Sequence, residues 1–259
     1  MTESQGAGAI YDHARSLADD GQITVVGTVV SGEGVGRKAL VTDTLVAGSL
    51  GSEALDRQLV EVVASSGGNP VSGVLELDPE TRVFIDVFQP RPQLVIFGAV
   101  HAAQALDWFA RKLGYRVVVV DARRALATRE RFPDTDQLIT AWPDDAYQQL
   151  NILPSTAIAI LSHDPKFDEP AIRGALNTPA RYIGAVGSRK TARERIERLR
   201  ESGVPEDQIA RIHGPIGLDI GGGSPEEMAI SILAEILSVV HGRGGKSLST
   251  IDGAIHGRT

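Results

Sequence analysis

LVIFGAVHAAQALDWFARKLGYRVVVVD, residues 94–121, decides the fold of most of this chain. An apolar run ends at Gly98, a helix-spaced stretch follows, and a second apolar run ends at Asp121, giving strand, turn, helix and strand. Asp121 stands 23 residues after Gly98, the position from which an acidic side chain commonly accepts hydrogen bonds from a ribose diol. The glycine pattern itself is poor. Val100 and Ala103 occupy the second and third glycine positions of G-x-G-x-x-G, and a valine side chain fills space that a pyrophosphate needs. The unit reads either as a dinucleotide-binding domain or as a Rossmann-shaped domain without dinucleotide affinity.

Working outward, apolar strands and helices keep alternating after Leu94: YRVVVVD, a weak DQLIT, TAIAILS, ARYIGAVG and ARIHGPI follow the first strand. This alternation predicts an α/β domain, a Rossmann-like parallel sheet with helices on both faces. A last helix is expected from about Pro225 to Val240, with Met228, Ile232, Leu233, Ile236, Leu237 and Val240 on a face that is buried or shared with a second subunit. Upstream, residues 5–20 read as an amphipathic helix. ITVVGTVV (23–30), KALVTDTLVAGSL (38–50), VSGVLELD and TRVFIDVF read as strands, and SEALDRQLVEVVA (52–64) as a helix. QPRPQ (89–93) marks a boundary. The expected organisation is a small N-terminal α+β domain over 1–90, the Rossmann-like domain over 91–242, and a flexible tail over 243–259.

Composition limits the function classes. The chain of 259 residues has no cysteine, which removes disulfides, zinc–thiolate sites, iron–sulfur clusters and cysteine nucleophiles, and fits a reducing cytoplasm. The opening residues lack the basic start and apolar core of a secretory signal, and no apolar run reaches the ~20 residues of a membrane helix. Residues 1–90 carry 13 acidic and 5 basic side chains, whereas the remainder is nearly balanced. An acidic chain with few aromatics argues against nucleic-acid binding. Within residues 181–200, seven Arg or Lys accompany two Glu, a run that reads as a solvated helix face.

Three glycine loops could receive an anion. PIGLDIGGGSPEE (215–227) places Gly217, Asp219, Gly221, Gly222 and Gly223 before Ser224, Pro225 and Glu227, a capping box with proline in the first turn. Glycines let main-chain amides approach a ligand, and the helix start favours phosphate or carboxylate. Glu226 and Glu227 oppose that field, so a capped core helix is the competing reading. GAVGSRKT (184–191) repeats the logic, with Gly187 and Ser188 offering amides and Arg189 or Lys190 offering charge. Its competing reading is a helix cap with both cations in solvent. The third is the Gly98 turn. His101, His163 and His213 stand at expected strand ends, where ligands bind in open α/β sheets. With Asp164 and Asp219 they suggest polar ligand contact, above all by His163 and Asp164, more than a metal cluster.

FGAVHAAQAL, VVVVDAR with RERFP, LSHDPKFDEPAI, YIGAVGSRKT and PIGLDIGGGSPEEMAISILAEI occur in the order and spacing of the XdhC/CoxI proteins, which this chain resembles over about 145 residues. The resemblance implies an accessory protein for a xanthine dehydrogenase-type molybdenum hydroxylase. Such a protein binds the molybdenum cofactor, a molybdopterin that in bacteria can carry a cytosine dinucleotide, assists its sulfuration, and delivers it to the client enzyme. A sulfurtransferase partner and a homodimer are compatible with that role. The site it implies comprises Gly98, His101, Asp121, His163, Asp164, Gly187 to Lys190, and the Gly217 to Ser224 loop, all in binding roles. GSLGSEALDRQLVE (48–61) departs from the family pattern GSIGGGCLEAAVVE, with Ala54 in place of the cysteine. Two other classes compete: an NAD(P)-dependent oxidoreductase, against which Val100 and the lack of any Y-x-x-x-K pair argue, and a non-catalytic nucleotide-binding interaction module.

Overall fold

A computed structural model describes residues 7–66 and 70–251. The chain divides into two units, Met1–Arg91 and Pro92–Thr259.

In the first unit the described elements are α1 (Ala7–Asp19), β1 (Thr24–Ser31), β2 (Lys38–Val41), β3 (Leu45–Gly48), α2 (Glu53–Ser65), β4 (Gly73–Glu76) and β5 (Arg82–Phe88). The strands form an antiparallel sheet in the order β3-β2-β1-β5-β4. Successive residues of a strand face opposite sides. Accordingly Val25 and Val29 join Leu59 of α2 in one core, while Val26 joins Ile10 and Ala14 of α1 in another. β1 is covered on both faces, which is why it reads as a nearly unbroken apolar run. Gly27 has no Cβ because one would lie 2.7 Å from Leu59 Cδ2, against α2. KALVTDTLVAGSL, expected as one strand, is instead the β2–β3 hairpin, turned where Thr42 N donates to Thr44 O at 3.0 Å. Thr-Asp-Thr contains neither glycine nor proline, so apolar pattern alone did not mark the turn.

The second unit runs β6 (Gln93–Phe97), α3 (His101–Lys112), β7 (Arg116–Val120), β8 (Gln137–Ile139), α4 (Pro143–Tyr147), β9 (Thr156–Ile160), α5 (Pro165–Leu176), β10 (Tyr182–Ala185), α6 (Arg189–Glu201), α7 (Glu206–Ile209), β11 (Ile212–His213) and α8 (Pro225–Val240). The short helices α4 and α7 were not foreseen, since neither spans enough residues to show a helical period. All six strands are parallel, in the order β11-β10-β9-β6-β7-β8. Read from the β8 edge, this is the 3-2-1-4-5-6 order of a doubly wound Rossmann-like sheet, with the chain reversing between β6 and β9.

Helices cover both faces. Leu94 and Ile96 of β6 meet Ala103, Leu106 and Ala110 of α3 and Ile232 and Ile236 of α8 on one side. Val95 and Phe97 meet Phe167, Ala171 and Ile172 of α5 on the other. Met228, expected on the buried face of α8, is 40% exposed. Within the stretch read as a tail, Leu248–Thr250 form one 3₁₀ turn, and residues 252–259 lie outside the described residues.

Candidate functional site

The loops that leave the carboxyl ends of the strands have the same local grammar and different surroundings. After β6, Gly98 adopts φ 106°, a conformation glycine favours. A Cβ on it would lie 2.8 Å from Ser162 N and 2.9 Å from Ser162 Cα, so only glycine lets this turn rest on the chain leaving β9. The turn's polar groups are spoken for. Gly98 N donates to Val120 O at 2.8 Å, Ala99 N donates to Asp121 Oδ2 at 2.7 Å, and Arg131 Nη1 donates to Ala99 O at 2.8 Å.

Asp121, expected to face a ribose diol, has internal partners in this arrangement. Its carboxylate is 1% exposed and accepts from Ala99 N and from Arg123 N, Nε and Nη2. Burial alone would raise its pKa, but the Arg123 and Ala99 donors outweigh that and hold it below the usual carboxylate range. His101 opens α3 as an exposed residue after Val100, which supplies no side-chain cap.

The glycine-rich loop before α8 is also engaged. Ser224 Oγ accepts from Glu227 N at 3.1 Å, while Glu227 Oε2 accepts from Gly223 N at 2.8 Å and Ser224 N at 3.0 Å. The expected capping box is therefore present, and its carboxylate sits where an incoming anion would find amides. Those two amides lower the Glu227 pKa. Gly217 N donates to Glu235 Oε2 at 2.8 Å, and a Cβ on Gly217 would meet Ser231 Oγ. His213 belongs to the same cluster: its Nδ1 is 3.4 Å from Glu235 Oε1, and its ring stacks on Tyr182, whose hydroxyl donates to Glu235. Asp219, Gly221 and Gly222 are exposed.

The loop after β10 is open. A cleft of about 330 Å³ lies at the carboxyl ends of β9, β10 and β11, lined by His163, Asp168, Gly187, Ser188, Thr191 and Arg195 among others. Among the described residues, His163 is the one non-glycine with positive φ, 62°, a conformation costing of order 1–3 kcal/mol that recurs at ligand sites. Asp164 caps α5 by accepting from Lys166 N at 3.0 Å. Ser188 caps α6 by accepting from Thr191 N at 3.0 Å. Arg189 and Lys190 are exposed and do not line the cleft.

Beneath these loops lies a buried polar group that the sequence reading missed. Ser162 Oγ donates to Asp168 Oδ1 at 2.5 Å, and Arg195 Nη2 donates to Val186 O at 2.9 Å while standing 3.9 Å from Asp168 Oδ2. Arg195 Nη1 is buried with no hydrogen-bond partner. Burial pushes the Asp168 carboxyl up and the Arg195 guanidinium down, each partly offset by the other. A signal for Arg195 existed: it falls three residues after Ala192 and four before Leu199, both buried, and so on the inward stripe of α6.

The structure thus brings His163, Gly187 and Ser188 together, with Asp168 and Arg195 behind them. Gly98, His101, Asp121 and the Gly221–Ser224 segment do not line this cleft. Among the described residues, no group of three or more His, Asp or Glu side chains is placed to hold a metal ion.

Residues 94–236 match the XdhC Rossmann domain. The chain belongs to the XdhC family. It is 31% identical over 246 residues, 95% of its length, to the uncharacterized protein YqeB of Escherichia coli K12. It is 34% identical over 62% of its length to a probable xanthine dehydrogenase subunit from Bacillus subtilis 168. Over 59% of its length it is 29% identical to the molybdenum cofactor insertion chaperone PaoD of E. coli K12. The chain spans less than half the length of these relatives, 43%, 46% and 41% respectively. A crystal structure described as a xanthine dehydrogenase from Bacillus halodurans has the same fold, with TM-score 0.67 at 24% identity, covering 91% of this chain and 64% of the other. No helix among the described residues is long and apolar enough to cross a membrane.

Proposed function

We propose that this XdhC-family chain binds the molybdenum cofactor as cargo in the cleft at the carboxyl ends of β9, β10 and β11, and passes it to a xanthine dehydrogenase-type client. The observation that carries this reading is the contrast between loops: the turn after β6 has its amides occupied, whereas the loop after β10 borders a polar cleft over a buried, incompletely bonded arginine. In an open α/β sheet, ligands enter from this end of the strands. Cargo held here rests against Gly187 and Ser188, with His163 on the β9 side.

The form without a nucleotide suits this cleft better than the cytosine dinucleotide form, since a nucleoside half would look to the Gly98 turn and Asp121, and both are engaged internally. The same engagement argues against an NAD(P)-dependent oxidoreductase. No residue of this sequence is a cysteine, so none of its side chains can carry sulfur to the cofactor as a persulfide.

The test is an anaerobic titration of the purified chain with molybdenum cofactor, its cytosine dinucleotide form, NADH and NADPH. Micromolar or tighter binding confined to the molybdopterin forms, with the nucleotide-free form tighter, is the expected result. Tight binding of nicotinamide cofactors alone would sink the carrier reading.

A further inference from the structure

Resting on that carrier reading, we propose that Gly187, Ser188 and Arg195 build an oxyanion subsite that receives a phosphate monoester, the anchoring group of the cargo. Three independent features converge on it. α6 is a helix of 13 residues whose first chain-internal bond is made by Ala192 N to Ser188 O, and Thr191 N is taken by the Ser188 cap. The amides of Arg189 and Lys190 precede that bond, and a helix start offers such amides to an anion; their side chains are exposed and do not line the cleft, so only main chain would reach an anion held beside Gly187 and Ser188. Gly187 presents main chain and no side chain at this mouth, with φ 147°.

Arg195 supplies the third. Its side chain is 7% exposed, it lines the cleft, and its Nη1 has no acceptor. Asp168 makes no hydrogen bond to this guanidinium: its Oδ2 stands 3.9 Å from Nη2, its Oδ1 is bonded to Ser162, and Nη1 is left without a partner. A buried cation with an unmet donor carries a desolvation cost that a neighbouring oxyanion offsets. The other acidic group at the cleft, Glu169, is already met by Arg198 at 3.7 Å and Arg173 at 3.4 Å. A volume of about 330 Å³ is at the low end of small-molecule sites, suited to one anionic group and its neighbours more than to a dinucleotide.

The same chemistry could be delivered by free inorganic phosphate or by an esterified phosphate, so both are titrated into the full chain, with glycerol 3-phosphate as the ester and backbone amide shifts as the readout. Shifts centred on residues 187–191, with the ester binding more tightly than free phosphate, are expected. Ser188→Asp keeps a good helix cap while placing a carboxylate at the cleft, and should weaken both ligands about tenfold or more. Arg195→Lys, which keeps the charge and loses the planar fork, should also weaken them. If Arg195→Lys does not fold, the shift map and Ser188→Asp decide the matter. Phosphate binding unchanged in Ser188→Asp, shifts centred elsewhere, or equal affinity for ester and free anion would overturn the subsite. Molybdenum cofactor binding that survives Ser188→Asp undiminished removes the subsite and leaves the carrier reading standing. Phosphate binding that depends on Ser188, with no cofactor binding at all, does the reverse.

Discussion

The Gly98 turn and the Gly187 loop are built from the same parts, a buried parallel strand, a positive-φ glycine and a long helix, yet they do opposite things. Gly98 is sealed, because the body of the protein supplies Asp121, Arg131 and the Ser162 backbone to use its groups and its space. Gly187 is left open: beneath it lies a buried arginine whose bonding is incomplete. On the proposed reading, a glycine loop at a strand's carboxyl end serves as a site only when nothing else in the fold has claimed its amides. The loop before α8 is a third variation, in which the protein provides its own anion, Glu227.

That contrast can be broken most forcefully at Gly98. Gly98→Val adds a side chain at positive φ and within 3 Å of the Ser162 backbone, and should cost about 3 kcal/mol or more in urea unfolding. A near-neutral result would mean that the turn is not packed against β9. The matching change at Gly187 is also strained by its φ of 147° and meets Thr191 Cβ at 3.2 Å, but it meets no backbone atom within 3 Å and should be milder.

Asp121→Asn asks whether the seal is electrostatic. It should cost about 2 kcal/mol, because a buried acceptor of four hydrogen bonds loses its charge. The sign of the pH effect follows from its depressed pKa. The folded chain binds this proton less tightly than the unfolded chain, so the stabilisation is present above the ordinary carboxylate range and is lost as pH falls through the lower folded value. Stability measured against pH should therefore fall less steeply on the acid side in Asp121→Asn than in the parent chain.

Ser224→Ala tests the third loop and should lower stability by about 1 kcal/mol, the usual worth of a helix cap, without changing phosphate binding. Any loss of phosphate affinity would bring that loop into the site. The smallest effect is expected from Lys190→Ala. Its side chain is exposed and stands 3.8 Å from Glu194, so both stability and phosphate affinity should stay within experimental error. A large loss of affinity there would restore the surface cations as the anchoring charges and demote Arg195.

Much of this was written locally in the chain. Residues 94–121 specified strand, turn, helix and strand because apolar period and glycine position act over short range, and Ser224, Pro225 and Glu227 placed the start of α8 for the same reason. Family membership was legible in blocks between Phe97 and Ile236 whose order and spacing resemble the family's, within the stretch that matches the XdhC Rossmann domain. The β2–β3 turn was not legible, since Thr42 to Thr44 hold no strong breaker, and the inward phase of Arg195 on α6 was present but masked by the cationic run around it.

Which glycine loop stayed available was settled only by tertiary structure. Asp121 reads as a ribose acceptor until Arg123 and the Ala99 amide are folded against it, and Ser188 reads as an ordinary cap until Arg195 is found beneath its loop. Sequence determined where strands end and helices begin, because those are contests among neighbours in the chain. The fold determined whose hydrogen bonds were already made, because those partners, such as Ala99 with Arg131, lie tens of residues apart and meet only when the sheet is assembled.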